Sequence, residues 1–144
     1  MRLLQLDSDG RLSLTEHFDN IPPYAILSHT WGADNQEVTF QDIQDATRLK
    51  AGYKEEGYRK LTFCGEKAAS DTLKHFWVDT CCIDKSSSAE LTEAINSMFH
   101  WYQSAAKCYV YLPDVSLLGT DGEQTLRASW EPAFRKSRWF TRGW

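Results

Sequence analysis

One run constrains what this chain can fold into more than any other: Phe76-Trp77-Val78-Asp79-Thr80-Cys81-Cys82-Ile83-Asp84-Lys85. It opens with a short apolar, β-branched stretch, the pattern of a strand buried on both faces. It closes with two carboxylates, two thiols and an amine. Ser86-Ser87-Ser88 then open a helix, with Ser87 placed as N-cap and Glu90 completing a capping box. Leu91, Ile95, Met98, Phe99, Tyr102 and Ala105 recur at helical spacing and predict one broad apolar face. After Lys107 comes a second apolar run, Cys108-Tyr109-Val110-Tyr111-Leu112. Strand, polar loop, helix and strand make a βαβ unit, whose two strands must be parallel. Ligands of open parallel sheets sit beyond the carboxyl ends of the strands. Residues 79–85 lie at such an end and form the first candidate site.

The same grammar extends upstream. Tyr24-Ala25-Ile26-Leu27-Ser28 reads as a core strand that exits through His29-Thr30-Trp31-Gly32. Residues 58–74 read as a helix with Tyr58, Leu61, Cys64, Ala68 and Leu73 on one face, giving an overlapping βαβ unit. Leu4 and Leu6 before Ser8-Asp9-Gly10, with Leu12 and Leu14 after it, predict an antiparallel hairpin attached to the main sheet. Pro22-Pro23 forbids helix in the linker. Residues 37–50 are moderately helical in pattern, 51–57 and 116–124 read as loops, and 125–131 are ambiguous. Pro113-Asp114 ends the last strand, and Pro132 is expected to break any helix through it. Residues 133–144 are dense in aromatic and basic side chains, and the sequence stops on Gly143-Trp144. Domains rarely end inside such a patch, so the division expected is a hairpin and linker over 1–23 and a C-terminally incomplete domain over 24–144.

Bulk properties narrow the function classes. The chain has 144 residues, and 16 basic against 20 acidic residues leave a net charge of −4, which argues against a phosphate-neutralising nucleic-acid module. No apolar run is long enough for a membrane span, and the N-terminus lacks a signal-peptide pattern, so a cytoplasmic protein is expected. Four cysteines, Cys64, Cys81, Cys82 and Cys108, fall in apolar segments and fit reduced thiols.

Three blocks in order resemble the fungal heterokaryon incompatibility (HET) domain. They are Tyr24-Ala25-Ile26-Leu27-Ser28-His29-Thr30-Trp31-Gly32; then Trp77-Val78-Asp79-Thr80-Cys81-Cys82-Ile83-Asp84-Lys85 running into Ala94-Ile95-Asn96-Ser97-Met98-Phe99-His100-Trp101-Tyr102; and Arg138-Trp139-Phe140-Thr141-Arg142-Gly143-Trp144. The resemblance covers nearly the whole chain from residue 24. It implies a cytosolic protein that triggers growth arrest or cell death when genetically different hyphae fuse. The HET domain is in turn similar to Toll/interleukin-1 receptor (TIR) domains, so a TIR-like, flavodoxin-like α/β fold is implied: a parallel sheet flanked by helices. Some TIR domains cleave NAD at the nicotinamide glycosidic bond, which implies NAD as a substrate and no permanently bound cofactor. On this mapping residues 26–30 fill the first TIR strand and its exit, 77–79 the second strand, 80–88 the loop after it, and 108–112 the third strand. The TIR catalytic glutamate corresponds to a position beyond Trp144. The partners implied are homotypic or heterotypic HET or TIR-like domains and other incompatibility proteins, with neither nucleic acid nor membrane.

Nicotinamide release passes through an oxocarbenium-like state that a carboxylate can stabilise, as in glycoside hydrolysis. Asp79 is the catalytic candidate. Ser28, His29, Thr30, Trp31, Gly32, Asp84, Arg138 and Trp139 are the candidates for holding the nucleotide, by aromatic stacking and by amide or guanidinium contacts to phosphate. Duller roles stand beside these. Asp79 can simply tie loop amides together, Asp84 and Lys85 can form a solvated pair, Trp31 can plug the core, and His29 can be a satisfied loop residue. Cys81-Cys82 with His29 as a partner base suggests a nucleophile, but adjacent cysteines next to a strand are more often packed. No metal is expected, since paired Cys or His spacing is missing. A non-catalytic interaction module, or a domain that binds nucleotide without cleaving it, fits the same residues.

Overall fold

The computed structural model describes residues 1–45, 54–115 and 130–141. A hairpin of β1 (Arg2–Leu6) and β2 (Leu12–Glu16) opens the chain, with Leu6 opposite Leu12. The Asp7 carboxylate closes its turn by accepting the N–H groups of Asp9 and Arg11 at 2.9 and 2.7 Å. Gly10 takes the left-handed backbone (φ 76°) that the turn requires. The remaining strands are β3 (Tyr24–His29), β4 (His75–Trp77) and β5 (Lys107–Tyr111). All five form one sheet in the order β2-β1-β4-β3-β5. β3 lies between β4 and β5 and is parallel to both, with Ala25 opposite Phe76 and Ile26 opposite Cys108. β1 joins this parallel core antiparallel to β4, with Leu4 opposite Phe76. The α/β fold with a parallel core and an attached N-terminal hairpin is therefore as expected.

The helices are α1 (Phe40–Gln44), α2 (Glu55–Ser70), α3 (Asp79–Cys82) and α4 (Ser88–Ser104). A short helix over residues 130–135 and a 3-10 turn at Arg138–Thr141 follow. Strand side chains alternate between faces, and two neighbours show which helix covers which. A Cβ on Gly65 of α2 would lie 3.2 Å from the Phe76 ring. The next residue, Trp77, packs on Trp101 and Tyr102 of α4, at 5.4 and 6.3 Å between ring centroids. So α2 and α4 cover opposite faces. Between them lie Leu3, Leu4, Ala25, Ile26, Leu27, Leu61, Cys64, Phe76 and Trp77, all buried. Burying each large apolar side chain contributes about 1.5–3 kcal/mol.

Four local expectations are corrected. The helix read over 58–74 runs from Glu55 to Ser70. It stops because Thr72 turns left-handed (φ 62°), while Thr72 and Leu73 donate back to the Ala69 and Ala68 carbonyls at 3.0 and 2.8 Å. The apolar face of α4 is narrower than predicted: Ala94 and Met98 are buried, but Ile95 and Phe99 are 60% and 80% exposed. Each follows a buried residue by one position, a rotation of about 100° that carries it off the sheet. The capping box is half made. Ser87 accepts the Glu90 N–H at 3.3 Å, but the Glu90 carboxylate turns to the Asp84 N–H at 2.7 Å and to the Arg2 guanidinium. Pro132 does not interrupt the helix over 130–135, because it sits in the first turn, where a missing N–H costs nothing. The readings made for residues 46–53, 116–129 and 142–144, the Gly143-Trp144 end of the third block among them, lie outside the described residues.

Candidate functional site

β3 ends in Ser28 and His29, which point to opposite faces of the sheet. His29 is 1% exposed, and its Nε2 lies 2.8 Å from Asp79 Oδ1. Its Nδ1 lies 3.2 Å from the Thr30 carbonyl oxygen. Asp79 leaves the neighbouring strand β4 and is the first residue of α3. Its second oxygen, Oδ2, accepts the Trp31 indole N–H at 2.8 Å. One buried carboxylate therefore bridges the exits of two adjacent parallel strands. Burial pushes its pKa up, but the hydrogen bond and field of His29, the Lys85 charge and the Trp31 N–H together hold it below the usual aspartate value. Asp79 ties side chains together across the strands, rather than loop amides.

Trp31 does not plug the core. It is 47% exposed, with the Lys85 ammonium 3.6 Å from its ring centroid, a cation–π contact. Lys85 is thus taken up by Trp31, not by Asp84. Asp84 accepts from Gln41 Nε2 at 2.8 Å and from the Ser86 N–H and hydroxyl at 3.0 and 2.6 Å. The solvated Asp84–Lys85 pair does not form, and α3 replaces the first part of the loop expected after the second strand.

A second brace went unread in the sequence. Lys60 of α2 is 2% exposed; its ammonium donates to the Thr30 carbonyl at 3.2 Å and pairs with the buried Glu37 carboxylate. Glu37 Oε1 in turn accepts the Gly32 N–H at 2.5 Å. Each residue of the β3 exit is therefore held: His29 and Trp31 by Asp79, Thr30 by Lys60, Gly32 by Glu37. The sequence carried one signal for this, since Lys60 falls on the same helical face as Gly57, Cys64 and Ala68, where a lysine needs a partner. Nothing around Glu37 marked it as the counter-ion.

Ser28 faces the other way. Its hydroxyl accepts the Trp139 indole N–H at 3.0 Å. The Asp114 carboxylate seats that segment by accepting the Ser137 hydroxyl and the Arg138 backbone N–H, both at 2.8 Å. A groove of about 430 Å³ opens here, lined by Ser28, Met98, Phe99, Tyr102, Trp139 and Phe140. The sequence candidates thus meet at one rim but on two faces. His29, Thr30, Trp31, Gly32 and Asp79 cluster on one; Ser28, Arg138 and Trp139 lie on the other. Arg138 contributes its backbone, while its side chain stays exposed.

Three of the four thiols are packed, and Cys108 on β5 is exposed. Cys64, Cys81 and Cys82 are buried, and burial raises the Cys81 thiol pKa well above its ordinary value and the Cys82 one to about 12. Neither provides a thiolate near neutral pH. Among the described residues, no group of three or more His, Cys, Asp or Glu is placed to hold a metal ion, and no helix is long and apolar enough to cross a membrane.

Fold and site together define an α/β domain whose parallel strands deliver an ionised, internally satisfied carboxylate and a braced tryptophan to one rim. A family model described as heterokaryon incompatibility protein (HET) matches residues 24–132. The vegetative incompatibility protein HET-E-1 of Podospora anserina is 53% identical over 146 aligned positions, which take in 100% of this chain and 10% of that protein. The chain belongs to the heterokaryon incompatibility (HET) family. It spans about a tenth of the length of that curated relative. No solved structure matches the chain.

Proposed function

We propose that this chain is the signalling domain of a heterokaryon incompatibility protein. It acts in the cytoplasm, self-associates or pairs with other HET or TIR-like domains or incompatibility proteins, and its output is cell death. The observation that carries this reading is the 53% identity, along the whole chain, to a protein whose name states vegetative incompatibility. The test is inducible expression of the full-length protein in fungal hyphae, scored by viability staining. Loss of viability on induction supports the reading; normal growth at matched protein level sinks it.

A second reading adds chemistry: hydrolysis of NAD at the nicotinamide glycosidic bond. The observation favouring it is an ionised carboxylate, Asp79, at the carboxyl ends of parallel strands, where such sheets bind ligands. His29, Thr30, Trp31 and Gly32 adjoin it as nucleotide-holding candidates, with Ser28, Trp139, Arg138 and Asp84 elsewhere on the rim. In the described conformation both Asp79 oxygens are already bonded within the protein, so this reading needs one of those bonds to open. A non-catalytic interaction module needs no such step. Nicotinamide release by the assembled full-length protein separates the two: turnover lost in an Asp79→Asn control supports hydrolysis, and turnover no higher than that control removes it.

A further inference from the structure

Asp79 is 4% exposed, and its two partners differ in kind. His29, on Oδ1, is itself buried at 1%, whereas Trp31, on Oδ2, is 47% exposed. The Trp31 ring therefore stands between Oδ2 and solvent. We propose that Trp31 is a built-in lid: its indole N–H occupies the position on Asp79 Oδ2 that a hydroxyl or N–H donor of a bound ligand takes when the ring swings aside.

Three features of the site support a side-chain lid rather than an opening loop. The backbone on both sides of Trp31 is pinned, by Lys60 on the Thr30 carbonyl at 3.2 Å and by Glu37 on the Gly32 N–H at 2.5 Å. Those two clamps are a buried ion pair, costly to separate. Among the described residues, the ring's hydrogen bond and ring contact are the indole N–H on Asp79 and the Lys85 ammonium, 3.6 Å from its centroid. Both are interactions that a rotamer change breaks without disturbing the sheet, whereas His29 is enclosed and stays on Oδ1. The carboxylate loses no hydrogen bond if a ligand donor replaces the indole, so closing and binding compete for one acceptor. This deepens the hydrolase reading by naming what controls access to Asp79, and it rests on that reading only for the identity of the ligand.

The test reads the cover rather than turnover, so the lid and the hydrolase can fail separately. The folded protein is treated with a water-soluble carbodiimide and glycinamide, and amide formation is followed carboxylate by carboxylate by peptide mass spectrometry. Glu55, whose side chain is 73% exposed, is the internal reference. In the unaltered protein Asp79 should label far more slowly than Glu55. Trp31→Ala should speed Asp79 labelling about tenfold while Glu55 is unchanged and the unfolding transition stays cooperative. Lys85→Ala should give a smaller rise. If Trp31→Ala does not fold, Trp31→Phe decides, since it keeps an aromatic ring, though a smaller one, and loses the N–H that reaches Oδ2: faster Asp79 labelling supports the lid. Unchanged Asp79 labelling in a folded Trp31 variant, or Asp79 labelling as fast as Glu55 in the unaltered protein, overturns it.

Discussion

Replacing Lys60 with methionine removes the ammonium that joins α2 to the β3 exit while keeping the length of the side chain. Among the described residues, Glu37 is then left as a buried carboxylate whose remaining hydrogen-bond partner is the Gly32 N–H, and the Thr30 carbonyl loses the Lys60 donor, keeping the His29 Nδ1 contact at 3.2 Å. Both ends of the pair are nearly solvent-free, at 2% and 8% exposure, so water cannot compensate without entering the core. Breaking a buried pair from one side costs about 3–5 kcal/mol. For a domain with total stability of about 5–15 kcal/mol, that is a large share. At roughly 4 °C per kcal/mol for a domain of this size, Tm should fall by about 12–20 °C. Glu37→Gln alone should cost a similar amount, because it strands the ammonium. The double variant, Lys60→Met with Glu37→Gln, should cost clearly less than the sum of the two, since no charge remains buried. Thermal and urea unfolding followed by circular dichroism at neutral pH provide the cycle. A Lys60→Met loss below about 1 kcal/mol, or strictly additive single losses, would refute the argument that this pair braces the exit.

Further outcomes follow from the same contacts. Asp79→Asn keeps the shape but offers only one acceptor oxygen to two donors, so it should lose about 2–3 kcal/mol in urea unfolding; a neutral result would mean that the His29 and Trp31 bonds contribute little. Because the Asp79 pKa lies lower folded than unfolded, its contribution is full above the ordinary aspartate value of about 3.9 and drains away as pH falls through the folded value. The acid limb of a pH–stability curve should therefore be shallower in Asp79→Asn, and superimposable limbs would contradict this. Gly57→Ala should destabilise by about 1–3 kcal/mol, since a Cβ there would overlap the Gln36 carbonyl oxygen and sit 2.8 Å from the Val38 amide nitrogen; an unchanged Tm would show that this segment yields freely. Trp139→Phe removes one hydrogen bond to Ser28 and should cost about 1 kcal/mol, read in the same unfolding assay; a loss several times larger would mean that the segment carries more of the fold than this contact explains.

The parallel core was legible in the sequence because it rests on local patterns: short apolar runs in β3 and β4, and a strong helix between Ser88 and Ser104 that forces a crossover. The hairpin was legible from Asp9-Gly10 between alternating leucines. Asp79, His29 and Trp31 were found as candidates because polar residues at strand ends stand out. Their bonds to one another were not readable, since the pairing of β3 with β4 decides which exits touch. The split of Ser28 from His29 follows from strand alternation, yet which helix covers which face comes from packing alone. Lys60 and Glu37 lie 23 positions apart and meet only after α2 docks, so no local pattern pairs them. The width of the α4 face was overread because periodicity shows which residues share a side, not how much sheet there is to cover them.

The account turns on Asp79 being ionised and shared between two strand exits. A carbon-13 NMR titration of the Asp79 carboxyl in the folded domain addresses this directly. The structure predicts that its resonance stays that of a carboxylate to a pH below the ordinary aspartate midpoint, and that it shifts when Trp31 is replaced by phenylalanine. An Asp79 that takes up its proton at or above that midpoint, and ignores the Trp31 change, would contradict the bridge.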